Sequence, residues 1–304
     1  MAGLLSGLAK LGLKNLEDMA LFEESAKEEK ASQVKELEKK EPTIPQEKEY
    51  LYDKTYECPV CDKTFVQKTV RSGKVKLNRT DRDLRPVYDN IEPLKYEAIV
   101  CPHCGYAAHS RYFSTITSTQ KKAVQAAISQ LYHKTDAADI DIYTYTEAVE
   151  KYKLCLANAI VKKAKSSEKA YICLKAGWLM RSMRENFDKA QKEDQLAAVQ
   201  VAGQLSPEQV AAKKAELKAQ EDEFLENALT GLLNARQTES YPICGMDEIT
   251  VEYLLAALAL HNNQFDLCSR MVSGILGSST ANSRIKEKTR DIKEALMAKM
   301  KEKA

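Results

Sequence analysis

Eight thiols are the side chains of this sequence best suited to chemistry. Four of them stand in two short phrases, Cys58-Pro59-Val60-Cys61 and Cys101-Pro102-His103-Cys104-Gly105. Each phrase sets two cysteines three positions apart with a proline tightening the turn. Both sulfurs of such a knuckle can reach one ion while the backbone amides of the turn point at the thiolates. Two knuckles supply four soft ligands, the number a closed tetrahedral site needs. Cys58, Cys61, Cys101 and Cys104 are therefore expected to hold one metal ion per chain. Zinc is expected over iron because nothing else marks a redox protein, although a four-thiolate iron site uses the same ligands. Closed coordination leaves no position for water, so the ion would be structural and would not hydrolyse anything. A thiol-redox enzyme is the catalytic alternative, but that chemistry usually wants one pair at a helix N-terminus, and here two pairs occupy matched turns. His103 and His109 lie close enough to replace a cysteine and are expected instead at the surface or beside the ligands.

Those knuckles need strands beneath them. Thr64 to Val70 and Lys74 to Leu77 alternate in character around Ser72-Gly73, which predicts a β-hairpin between the two runs. Residues 81–93 are rich in turn formers, and Tyr96 to Val100 reads as a strand entering the second knuckle. A hairpin beneath each cysteine pair is the arrangement of a zinc ribbon. Asp62 and Gly105 follow the knuckles where backbone often turns left-handed, a conformation easiest for Gly and tolerable for Asp. The 39 residues between the pairs require extra loop or strand. A module of about 55 residues has little core of its own, and metal binding can contribute apparent stabilisation on the order of 10 kcal/mol.

Beyond Ser118 the period becomes helical. Thr117-Ser118-Thr119-Gln120 and Ser206-Pro207-Glu208-Gln209 are capping boxes, the second with proline at the first helical position. Helices are predicted from 117 to about 133, over 141–163 and 167–189, from 206 to about 236, and over 248–260, 264–276 and 281–301. Six or seven helices in antiparallel hairpins result. Leu255, Ala256, Ala259, Asn263, Phe265, Cys268 and Val272 sit at roughly tetratricopeptide offsets, and Tyr145, Ala148 and Tyr152 repeat part of that spacing. Residues 190–203 interrupt any strict period. The expected fold is α+β, mostly α: an N-terminal helical segment and charged linker (1–49), a β-rich zinc-ribbon-like module (50–115) and a tetratricopeptide-like helical domain (116–304).

Composition narrows the function. With 46 basic and 44 acidic residues the net charge is only +2, so no global field recruits nucleic acid or membrane. A local patch is the remaining route. Lys63, Lys68, Arg71, Lys74, Lys76, Arg79, Arg82 and Arg85 face only Asp62, Asp81 and Asp83 in their span. Arg71, Lys74, Lys76 and Arg79 are thus the candidate nucleic-acid contacts, set against the plainer reading that these are solvated strand faces. No apolar run reaches the roughly 20 residues of a membrane span. Residues 4–22 carry spaced leucines weakened by Gly7 and Gly12, and are expected to fold onto the helical domain rather than a membrane. The start lacks the basic region of a signal peptide, so the thiols are expected reduced and the protein cytoplasmic. Cys155, Cys173, Cys244 and Cys268 then read as small core residues, and Trp178 as core filling. No phosphate loop, HExxH or nucleophile elbow is present, and no catalytic residue is assigned.

The run from Tyr56 to Tyr112, above all Cys101-Pro102-His103-Cys104-Gly105-Tyr106-Ala107-Ala108, resembles a bacterial family of uncharacterised proteins with a CPxC…CPHCGYAA arrangement. Lys175 to Arg181, Ile275 to Ser278 and Arg284 to Lys288 extend the resemblance over most of the chain beyond residue 50. It matches Cys58, Cys61, Cys101 and Cys104 to the family's cysteine pairs, and Asp62 departs from the glycine common after a knuckle. The resemblance implies a ribbon followed by tetratricopeptide-like helices and no particular activity. The expected function is a non-enzymatic interaction scaffold for a protein or peptide partner, with homo-oligomers allowed; nucleic-acid binding is the alternative.

Overall fold

The computed structural model describes residues 46–132, 142–198 and 205–303. The N-terminal segment and the linker up to residue 45 lie outside the described residues, as do the expected helix end at His133 and residues 199–203 of the expected interruption over 190–203. All described residues belong to one compact unit, Ile44–Ala304.

Each knuckle is the turn of its own hairpin. Strand β1 (Leu51–Glu57) pairs antiparallel with β2 (Thr64–Val70), Glu57 opposite Thr64, and the first knuckle fills the connection. Strands β5 (Ala98–Val100) and β6 (Ala107–His109) pair with Val100 opposite Ala107 around the second. Between them, β3 (Leu77–Thr80) pairs with β4 (Pro86–Tyr88). The hairpin expected across Ser72-Gly73 does not form. Pairing β2 with β1 instead brings Phe65 to 5.8 Å from the Tyr56 ring, and both rings pack on Phe113. Strand β3 is exposed at every residue, so no burial holds it to β2.

The helices follow their caps. Helix α1 (Ser118–Val124) opens on the Thr117–Gln120 box and runs on into one π-turn, Gln125–Ser129. Helix α2 (Tyr145–Val161) opens on a further box, Thr144 with Glu147. The run expected over 167–189 is two helices, α3 (Ser166–Glu185) and α4 (Phe187–Ala198). Asn186 separates them: its side chain and its backbone N–H both donate to the Ser182 carbonyl, at 2.9 Å each. Helix α5 (Pro207–Thr238) starts at the Ser206–Gln209 box, and α6 (Glu248–His261), α7 (Phe265–Gly277) and α8 (Ser283–Lys303) complete eight α-helices among the described residues.

Helix α3 lies at the centre. Ile172, Leu174 and Leu179 are buried among α5 residues Leu225, Leu229 and Leu232 and the apolar length of α6 from Leu254 to Leu260. Gly177 permits the close approach of α5, because a Cβ there would stand 2.7 Å from Leu225. Cys155, Cys173, Cys244 and Cys268 are buried, and burial pushes the Cys173 and Cys268 thiols up to about 11. They serve as small apolar side chains. Ala98 and Ala107 of the second hairpin belong to this same cluster, so the helical core reaches directly under the second knuckle. No helix among the described residues is long and apolar enough to cross a membrane.

Candidate metal centre

The two hairpin turns bring the four sulfurs together, every pair within 4.8 Å. Two of these approaches cross between the knuckles: Cys58 to Cys104 at 3.6 Å and Cys61 to Cys101 at 3.7 Å. A zinc–sulfur bond of about 2.3 Å would set tetrahedral sulfurs about 3.8 Å apart, whereas a disulfide needs about 2.05 Å. The spacing is that of ligands around an ion.

Local backbone dictates this placement, and it does so twice in one pattern. The Cys58 N–H donates to the Lys63 carbonyl at 2.9 Å and the Asp62 N–H to the Cys58 carbonyl at 2.9 Å. In the second knuckle the Cys101 N–H donates to the Tyr106 carbonyl at 2.8 Å and the Gly105 N–H to the Cys101 carbonyl at 3.0 Å. Asp62 (φ 56°) and Gly105 (φ 71°) take the left-handed conformation that closes each turn. Amides of Val60 and Cys61 donate to the Cys58 sulfur, and those of His103 and Cys104 to the Cys101 sulfur. These donors favour thiolates.

The sulfurs also compete for protons. Hydrogen bonding from Cys104 pulls Cys101 down to about 2. Hydrogen bonding to Cys101 holds the Cys58 thiol up at about 12 and raises Cys104 as well. Four thiols this close cannot all ionise alone, and a cation in their midst supplies the charge that lets them do so. Cys58 and Cys101 are fully buried, and Cys61 is the one ligand partly open to solvent. The donor set fits a buried, closed metal site.

The affiliation of the chain follows from a match that spans both the knuckles and the helices. Residues 51–296 match the family model described as "Uncharacterized protein conserved in bacteria (DUF2225)". The chain belongs to the DUF2225 family. No curated protein and no solved structure matches it.

In this DUF2225 member neither histidine joins the cluster. His103 is half-buried, with Nε2 3.2 Å from the Thr64 carbonyl oxygen. His109 is buried, its Nε2 3.1 Å from Glu97 and its Nδ1 accepting from the Arg111 N–H. Burial alone would push the Glu97 carboxyl up. The Lys175 ammonium at 2.9 Å and the His109 ring outweigh it and hold Glu97 at about 2.

The basic residues of the β region divide. Arg71, Lys74 and Lys76 are exposed around the β2–β3 connection, and Arg79 pairs with Asp81 at 3.3 Å. Lys68 pairs with Asp53 at 2.9 Å. Arg85, read from sequence as part of a solvated basic face, is buried and bridges Asp81 and Glu185 at 2.7 and 2.5 Å. It belongs to a network that the sequence does not announce. Arg181 of α3 contacts Asp83 and Glu221 at 2.7 Å each, and Trp178 Nε1 donates to Asp83 at 3.0 Å. These charges lock the turn between β3 and β4 onto α3 and α5.

Three carboxamides were equally invisible as tethers. Gln67 sits buried in β2 because its Nε2 donates to the Ala98 carbonyl at 2.9 Å while its Oε1 accepts from the Val100 N–H at 3.2 Å. It thereby joins the two hairpins. Gln125 and Asn158 reach the knuckles themselves, donating to the Val60 and Gly105 carbonyls. No spacing in the sequence marks these three residues.

Proposed function

We propose that this protein is a non-enzymatic, cytoplasmic interaction scaffold whose zinc ion, held by Cys58, Cys61, Cys101 and Cys104, fastens a ribbon-like β module to a helical body that binds a protein or peptide. Zinc suits four thiolates in tetrahedral spacing, and a fully ligated ion has no position for substrate. Function then rests on surfaces around the fastener. The observation carrying this reading is an open groove of about 780 Å³ between α2, α3 and α5. Leu156, Ile160 and Phe224 supply apolar lining, while Lys153, Lys169 and Glu223 supply charge. Ile160 is 60% exposed, an unusual cost for an isoleucine that covers nothing. Helical hairpins with such grooves suit a peptide that presents apolar side chains and acidic flanks.

Affinity capture from the native cell extract tests it, run in parallel with Ile160→Asp. A protein retained by the wild type and released by Ile160→Asp is the expected result. Failure to retain any specific protein, or retention indifferent to Ile160→Asp, overturns the groove as the binding surface. Native mass with elemental analysis is expected to give one zinc per chain, and iron in its place would change the cofactor assignment.

A second reading, nucleic-acid binding, draws on one feature of the ribbon. Lys48, Tyr52, Lys68 and Arg71 surround a recess of about 470 Å³, with the Arg71 guanidinium 5.3 Å over the Tyr52 ring.

 Arg71 is also anchored through Nε to the Leu51 carbonyl at 3.0 Å, which leaves the rest of its guanidinium for an anion. A mobility-shift assay at moderate salt decides this reading. Retention of RNA or DNA that is lost on neutralising Arg71, Lys74 and Lys76 would support it, and no retention would remove it.

A further inference from the structure

Gln125 and Asn158 contact the knuckles in a way that packing does not require. Gln125, at the start of the π-turn, donates Nε2 to the Val60 carbonyl at 2.9 Å. Asn158 of α2 is fully buried and donates Nδ2 to the Gly105 carbonyl at 3.1 Å. Its Oδ1 is buried with no hydrogen-bond partner, a cost that a leucine of similar size would avoid.

The two peptide groups engaged in this way point their other ends at sulfur. The Val60 carbonyl shares its peptide with the Cys61 N–H, which donates to the Cys58 sulfur. The Gly105 carbonyl shares its peptide with the Tyr106 N–H, which donates to the Cys104 sulfur. A peptide that accepts at oxygen is polarised and donates more strongly at nitrogen. Cys58 and Cys104 also lie 3.6 Å apart, where negative charge on both sulfurs would crowd.

We propose that Gln125 and Asn158 are positioning residues of the metal centre, each acting on one thiolate through a single peptide group, and that together they set how tightly the ion is held. This rests on the metal reading given above. The helices then do more than carry the ribbon, because α2 and the π-turn tune its ligands from outside.

The test uses the full chain loaded with cobalt(II), whose sulfur-to-metal charge-transfer bands report the electron density on the thiolates. Gln125→Met and Asn158→Leu each keep the approximate volume and remove the N–H donor. Each variant is expected to bind one cobalt, with its charge-transfer bands moved to lower energy. Cobalt affinity, measured by chelator competition, is expected to weaken about tenfold, the low end of what lost outer contacts to metal ligands cost. A change in packing alone would not move the bands. If Asn158→Leu fails to fold, Gln125→Met, at an exposed position on the edge of the site, decides alone. A wild-type chain that takes up no cobalt overturns the metal reading and this proposal with it. A wild type that loads normally, beside variants with unchanged bands and affinity, overturns the relay and leaves the metal site standing.

Discussion

The hairpin of β1 and β2 and the hairpin of β5 and β6 present their cysteines in turns with the same backbone hydrogen bonds, yet their strands sit in different surroundings. In β5 and β6 every residue but Val100 is buried, and Ala98 and Ala107 belong to the helical core. In β1 and β2 only Leu51, Phe65 and Gln67 are buried. The second hairpin is held by apolar packing and by charges such as Glu97 with Lys175. The first depends on the Phe65 and Tyr56 rings against Phe113, on the Gln67 tie, and on the sulfurs it shares with its twin. One ion would therefore do unequal work, fastening a loosely supported hairpin to one that the core already supports.

Removing the metal should expose that inequality and gives the largest expected effect. Apparent binding energies for structural zinc are on the order of 10 kcal/mol, more than a two-stranded hairpin can replace. After chelation, amide exchange should become fast over 51–70 while 98–100 and 107–109 stay protected by α2. Cys101→Ser should reproduce the loss of metal and of order in the first hairpin. Equal loss of protection in both hairpins would break the comparison.

Arg181→Ala probes a different anchor, the charges that hold the β3–β4 turn to α3 and α5. It leaves Asp83 and Glu221 buried without their shared guanidinium, and breaking a buried pair costs about 3–5 kcal/mol. Urea unfolding should show that loss while metal stoichiometry stays at one per chain. A variant that keeps its stability but sheds metal would mean that the charges serve the site and not the anchor.

What could be read from sequence was local. Cysteine spacing placed all four candidate ligands, because a knuckle is built within five residues. The Thr117 and Ser206 boxes placed helix starts for the same reason. Strand partnership failed because β2 chooses β1 through Phe113, a residue 48 positions beyond Phe65 in the chain. Arg85 was misread because charge normally signals solvent, and only the fold brings Glu185 to it. Gln125 and Asn158 look like ordinary polar helix residues until the knuckle carbonyls are set against them.

The smallest effects come from the two residues that close the knuckles, and they should have opposite signs. Gly105→Ala places a side chain at φ 71°, where left-handed backbone costs about 1–2 kcal/mol, and its Cβ would stand 2.5 Å from the Tyr132 ring. With the ring forced to shift, a loss of about 2–3 kcal/mol is expected. Asp62 already bears the left-handed cost at φ 56°, so Asp62→Gly relieves it. The extra freedom glycine gives the unfolded chain offsets part of the gain, leaving a stabilisation of at most about 1 kcal/mol. Thermal unfolding of the metal-loaded protein measures both. If Asp62→Gly instead destabilises the protein, the Asp62 side chain supports the first knuckle, and the two turns are less equivalent than their hydrogen bonds indicate.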